Sequence, residues 1–202
     1  MDRKKLGNLN REKFGVILPI TLLSYFLILM DNSIIFTSSA QIGESLGLSA
    51  SALSWVSSAY TLTFGGFLLL SGRLSDLLGR KRIFLIGLLI FGFSSLMIGL
   101  SKTAEMVIIM RAVQGIGSSI IAPTTLALIM DAYQNNMRQR AISYYGATAG
   151  IGSSIGLLVG GGLTSLISWR AGFLINVPFT LVLFILTLKY VKSSARRKET
   201  ID

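Results

Sequence analysis

Asp31 and Arg111 are the two ionisable residues that fall well inside long apolar stretches of this chain. A charge at the centre of a helix in hydrocarbon costs about 2.5–3.5 kcal/mol on insertion scales, so such residues usually face the protein interior and pair. These two have opposite signs, and helical rise sets their depths. If the first apolar helix ends near Ala40, Asp31 lies nine residues in, about 13 Å; if the fourth begins near Glu105, Arg111 lies six residues in, about 9 Å. The pair then shares one level, on the helices that open the two halves of the chain. Burial favours the neutral acid, whereas a nearby guanidinium favours the carboxylate. That competition suits proton handling, because moving the Arg or admitting a cation switches whether the acid keeps its proton. The alternative is a static buried pair that only fixes helix packing.

The elements that must position these residues follow from composition. The 202 residues are 51% hydrophobic and 14% charged, with a mean hydropathy of +0.66. A soluble domain is roughly 25% charged, so a soluble enzyme and a disordered tail are both excluded. About 20 apolar residues span the hydrocarbon, and six runs qualify, near 15–37, 52–72, 83–100, 105–129, 142–165 and 172–190. The predicted fold is therefore all-α, a polytopic membrane protein with six transmembrane helices over 15–190. It is flanked by an N-terminal segment, 1–14, and a basic tail or linker start, 191–202.

The net charge of +10 reports orientation, not nucleic-acid binding. With the N-terminus inside, the inner segments hold 16 of the 19 basic residues, and the outer ones hold only Lys102 and Arg170. By the positive-inside rule both termini are expected in the cytoplasm, and the expected host bilayer is the cell membrane. The first span is expected to be retained, not cleaved as a signal peptide, because it is long and contains Asp31. With no Cys and no His, the chain has no thiol nucleophile, no Ser/His pair and no zinc or haem ligand set, so no metal or cofactor is expected. Asp31, Asp76 and Asp131 are too scattered to hold cations for an intramembrane phosphotransferase. No ring of acids or filter-like loop suggests a channel.

Three further patterns carry weight. Residues 68–79 (LLLSGRLSDLLG) and 157–168 (LLVGGGLTSLIS) agree at five of twelve positions, at the ends of the second and fifth spans. Two three-helix repeats of inverted topology would produce this; chance likeness of Leu/Gly-rich spans is the alternative. Between the second and third spans lies Gly72-Arg73-Leu74-Ser75-Asp76-Leu77-Leu78-Gly79-Arg80-Lys81-Arg82. There Gly72 and Gly79 are expected to form a tight turn, with Asp76 near the positive end of the third helix. Gly152, Gly156 and Gly160, with Gly161, are expected to let a neighbouring backbone pack closely on the fifth helix.

These segments resemble the major facilitator superfamily. The G-x-x-x-D-x-x-G-R-K-R loop is similar to its cytoplasmic motif between helices two and three. Leu29-Met30-Asp31-Asn32-Ser33-Ile34-Ile35 resembles the first-helix motif of the fourteen-helix drug:proton antiporter branch. Arg111-Ala112-Val113-Gln114-Gly115-Ile116-Gly117 matches the fourth-helix R-x-x-Q-G-x-G pattern, and Trp169 to Pro178 resembles the stretch leading into the sixth helix. The fifth-helix antiporter motif departs, with Leu157 in place of its proline, and this leaves the direction of transport open. The resemblance implies the N-terminal half of a proton-coupled exporter of small amphipathic or cationic drugs, working by alternating access. Asp31 and Arg111 would couple proton and substrate; Gly72, Arg73, Asp76, Gly79 and Arg80 would form the cytoplasmic gate; Arg111, Gln114 and Gly115 would carry the fourth-helix motif. Met30, Tyr60 and Gln114 are the candidates for cavity lining. A second six- or eight-helix half, a homodimer, or a truncated chain that only binds partners remain as alternatives for how one bundle is used.

Overall fold

A computed structural model describes residues 14–192 as an all-helical bundle. The expectations for the N-terminal segment before Phe14 and for most of the basic tail lie outside the described residues. The elements are α1 (Ile17–Leu46), α2 (Ala50–Leu78), α3 (Arg80–Gly99), α4 (Ala104–Ala132), α5 (Asn135–Leu166), α6 (Trp169–Leu174) and α7 (Asn176–Tyr190). The last two are one span, so six helices among the described residues are long and apolar enough to cross a membrane.

Local chemistry sets the boundaries. Gly47 ends α1 in the left-handed conformation, φ 61°, where the absence of a Cβ removes the usual penalty. Ser49, Thr103 and Ser168 each turn a side-chain oxygen onto a free N–H at the start of α2, α4 and α6, the usual N-cap arrangement. The break between α6 and α7 follows from Pro178: its ring clashes with the carbonyl four residues back, which belongs to Leu174, the last residue of α6. Asn176 opens α7 at this break.

The helices run past the apolar stretches that identified them. Polar residues from Ser38 to Glu44 still belong to α1, so Asp31 falls at the middle of that helix. Gly72 is likewise inside α2 with open space around it, not in a turn. Gly79 alone connects α2 to α3, with φ 98°. Asp76 is in the last turn of α2.

The two most extensive interfaces are α2 with α4 and α1 with α5. Exchanging helices one to three for four to six converts one of these interfaces into the other, as inverted repeats require. Both rest on glycine. A Cβ on Gly156 would lie 2.8 Å from the Met30 Cα, and one on Gly160 would lie 2.9 Å from the Ile34 Cα. At the mate, a Cβ on Gly115 would collide with Thr63 and with the Tyr60 carbonyl on α2. Close backbone approach of this kind drives helix association in a medium where burial of apolar surface gives no advantage. Gly161 is a correction: it has open space around it, because one residue beyond Gly160 is about 100° round the helix.

Candidate functional site

The middle of α1 is where the packing delivers polar atoms. Asp31 is fully buried and its two carboxylate oxygens accept three hydrogen bonds. Arg111 Nη1 (α4) donates to Oδ2 at 2.8 Å. Gln114 Nε2 (α4) and Asn176 Nδ2 (α7) donate to Oδ1 at 3.0 and 2.6 Å. The spacing of Arg111 and Gln114, three residues apart, places both on one face of α4, and Arg111 Nη1 also donates to Gln114 Oε1 at 2.7 Å. Ser95 on α3 completes the cluster, its hydroxyl oxygen accepting from Gln114 Nε2 at 2.7 Å and from Asn176 Nδ2 at 3.4 Å.

Arg111 is as buried as the acid it meets. Its Nε donates to the Val56 carbonyl at 3.2 Å, and its guanidinium lies 4.2 Å from the ring centre of Tyr60. An aromatic face stabilises a desolvated cation, by about 2 kcal/mol or more. Tyr60 accepts a hydrogen bond from Asn32 Nδ2 at 3.2 Å. Burying both charges costs several kcal/mol per ion even after relaxation, and the pair is tolerable only with the remaining donors and acceptors satisfied. Every donor aimed at Asp31 here suits the ionised form.

Of the three cavity-lining candidates, Tyr60 and Gln114 touch this cluster. Met30 instead packs in the apolar core beneath Gly156, because its place beside Asp31 turns it towards α5. All three side chains are fully packed in this conformation.

A second cluster lies at the end of the bundle that carries the α2–α3 connection. Arg80 bridges two acids, with Nη2 3.1 Å from Asp76 Oδ1 and Nη1 2.6 Å from Asp131 Oδ1. Nη1 also donates to the Ala127 carbonyl at 2.6 Å. One guanidinium thus ties the end of α2 and the start of α3 to the end of α4. Arg73 does not join: it is exposed on α2 and forms no ion pair among the described residues.

The family model for the Major Facilitator Superfamily matches residues 21–202. The chain belongs to the major facilitator superfamily. Among curated superfamily members, the MFS-type transporter EfpA of Mycobacterium tuberculosis is 39% identical over 174 residues, covering 86% of this chain and 33% of that protein. The puromycin resistance protein pur8 of Streptomyces alboniger is 38% identical over 82% of this chain and 33% of its own length. Multidrug resistance protein 3 of Bacillus subtilis is 37% identical over 90% and 35%. The chain therefore spans about a third of the length of the curated relatives it matches. The solved bacterial homologue of the lysosomal transporter Spinster, inward-facing and unoccupied, superposes with a TM-score of 0.78 at 18% identity, over 92% of this chain and 44% of that one. That likeness concerns the fold.

Set among superfamily members, the chain brings together Asp31, Arg111 and Gln114 at one site, and Asp76 with Arg80 at the other. Ser95, Asn176 and Asp131 were not singled out as site residues from sequence. Asn176 had a usable signal, a side-chain amide placed two residues before a proline inside an apolar span. Ser95 had none, since serines in apolar helices often only bond their own backbone, as Ser94 does here.

Proposed function

We propose that this chain is the first six-helix half of a proton-coupled secondary transporter that exports amphipathic or cationic drugs by alternating access. The observation that carries this reading is the carboxylate of Asp31, buried at mid-helix and held by donors from two other helices. An ionisable residue at that depth is a functional site by default, and it is the buried acid among the described residues. In the arrangement described, Asp31 is charged and holds Arg111. Taking up a proton removes the charge that binds α1 to α4, and the guanidinium is then left to its aromatic and carbonyl partners. A cationic drug entering the same region supplies the positive charge that the proton would have supplied, so the two compete. The one covalent bond made and broken in this cycle is the O–H of the Asp31 carboxyl.

Arg80, bridging Asp76 and Asp131, acts as the latch at the cytoplasmic gate, and Arg73, exposed beside it, meets the other half. The excess of basic residues at this end supports a cytoplasmic location for it, and the cell membrane is the proposed host bilayer. Resistance and export proteins among the relatives, including the methyl viologen resistance protein SmvA of Salmonella typhimurium, support drugs as the substrate class.

A second reading, in which the bundle pairs with a separate six- or eight-helix unit or with its own copy, or binds partners without transporting, draws on one observation. α2 and α5 are the least buried spans, and Leu69 and Leu158 on them are 84% and 77% exposed. The test of the main reading is ethidium efflux from proteoliposomes under an imposed pH gradient, with the chain alone and with a second bundle present. Proton-driven efflux that disappears in Asp31→Asn supports it. Gradient-driven efflux unchanged by Asp31→Asn removes Asp31 from coupling, and none under either condition favours the partner-binding reading.

A further inference from the structure

Three groups donate to Asp31, and they differ in what they are able to do once the acid is neutral. A protonated carboxyl must donate an O–H, so one member of the shell has to become an acceptor. Arg111 has five N–H donors and no acceptor. Gln114 has an acceptor, but its Oε1 already takes a hydrogen bond from Arg111 Nη1 at 2.7 Å; turning that amide would aim an NH2 group at the guanidinium. Asn176 differs. Its Oδ1 is buried and has no hydrogen-bond partner among the described residues, in a side chain that is fully enclosed. Buried polar atoms without partners are rare enough to require an explanation.

We propose that Asn176 is the positioning residue that holds Asp31 in its protonated state, by turning its side-chain amide end for end. This rests on the reading that Asp31 takes up the transported proton. A half-turn of the amide exchanges the sites of Nδ2 and Oδ1. Oδ1 then stands where Nδ2 now is, 2.6 Å from Asp31 Oδ1 and 3.4 Å from Ser95 Oγ. The acid donates its proton to that oxygen. Ser95 Oγ accepts from Gln114 in the present arrangement and keeps its own O–H to donate to the same atom. The turn exchanges the two Nδ2 donations, to Asp31 and Ser95, for two bonds accepted by Oδ1, and it carries Nδ2 to the site where Oδ1 now has no partner among the described residues. α7 therefore keeps its hold on α1 in both states, while the Arg111 ion pair exists in one only. The other titratable or charged groups facing Asp31 are Arg111 on α4 and Tyr60 on α2; α3 and α7 present the neutral Ser95 and Asn176, and α5 presents glycines.

The test is infrared difference spectroscopy of the full 202-residue chain in lipid nanodiscs, acid minus neutral pH, with unlabelled and side-chain-labelled asparagine. Wild type is expected to show a protonated-carboxyl band that is lost in Asp31→Asn, together with a shift in an asparagine amide carbonyl band. In Asn176→Val the carboxyl band moves to higher wavenumber, as an O–H does on losing its acceptor. Asn176→Thr, whose hydroxyl both donates and accepts, restores the lower position. A carboxyl band unmoved in Asn176→Val and no asparagine signal in wild type would overturn the proposal while leaving Asp31 as the proton site. The absence of any band sensitive to Asp31→Asn overturns both. If Asn176→Val fails to fold, the wild-type amide signal decides by itself.

Discussion

Gly156 of α5 lies so close to Met30 of α1 that an added Cβ would come within 2.8 Å of the Met30 Cα and carbonyl oxygen. Met30 is the residue next to Asp31, so the register of the glycine face on α1 also sets the position of the buried acid. Gly152 and Gly160 continue the same contact, at Leu29 and Ile34.

A bulky residue at the contact must push the helices apart. Gly156→Leu is expected to destabilise the bundle by about 1–3 kcal/mol, the usual cost of overpacking. Gly161→Leu, placed in open space, should change stability by no more than about 0.5 kcal/mol. Thermal unfolding of the two variants in the same detergent separates them.

Removing one partner of the buried ion pair leaves the other charge stranded. Arg111→Ala should cost about 3–5 kcal/mol of stability, whereas adding Asp31→Asn to it should recover much of that loss. A double-mutant cycle on unfolding midpoints measures the recovery; a purely additive result would mean that the two residues do not interact.

The Arg80 bridge is of a different class. Asp76 and Asp131 are about half exposed, and exposed pairs contribute about 1 kcal/mol or less each. Arg80→Gln should therefore lower stability only slightly, and high salt should erase the difference. Its effect on transport should be larger, seen as efflux that no longer depends on the direction of the imposed gradient.

Tyr133, which follows α4, accepts a hydrogen bond from the Leu18 N–H at 3.1 Å and donates to the Gly15 carbonyl. Burial raises its phenol above the ordinary tyrosine range. The folded form thus holds the proton more tightly than the unfolded one. The stabilisation is fully present below the unfolded value near 10 and is lost as pH rises through the higher folded value. Tyr133→Phe should cost about 1 kcal/mol at neutral pH and weaken the alkaline fall in stability, read from unfolding midpoints between about pH 9 and 12.

Much of the fold was legible because lipid imposes simple rules. Apolar runs of sufficient length give the six spans, and the glycine spacing in α5 gives its buried face. Helix ends were less legible, since α1 continues through polar residues to Leu46: helix length is set by caps and neighbours, while apolar length marks only the hydrocarbon. Asp31 and Arg111 stood out because isolated charges in apolar runs are costly. Ser95 did not, because a serine in an apolar helix often only bonds its own backbone; Asn176 was marked by its place two residues before Pro178, but its partner depends on which helices the fold brings together. Asp131 was visible, but only the crossing of α4 with the α2–α3 connection shows that Arg80 reaches it.

Competition between drug and proton at Asp31 is most directly tested by proton release. Purified protein in weakly buffered detergent, carrying its second bundle where one is supplied, is mixed with ethidium while a pH indicator is followed. Wild type should release protons when the dye binds, less so as the starting pH rises and the acid is already ionised, and Asp31→Asn should bind dye with no release. Equal proton release from both proteins would contradict a coupling role for this carboxylate.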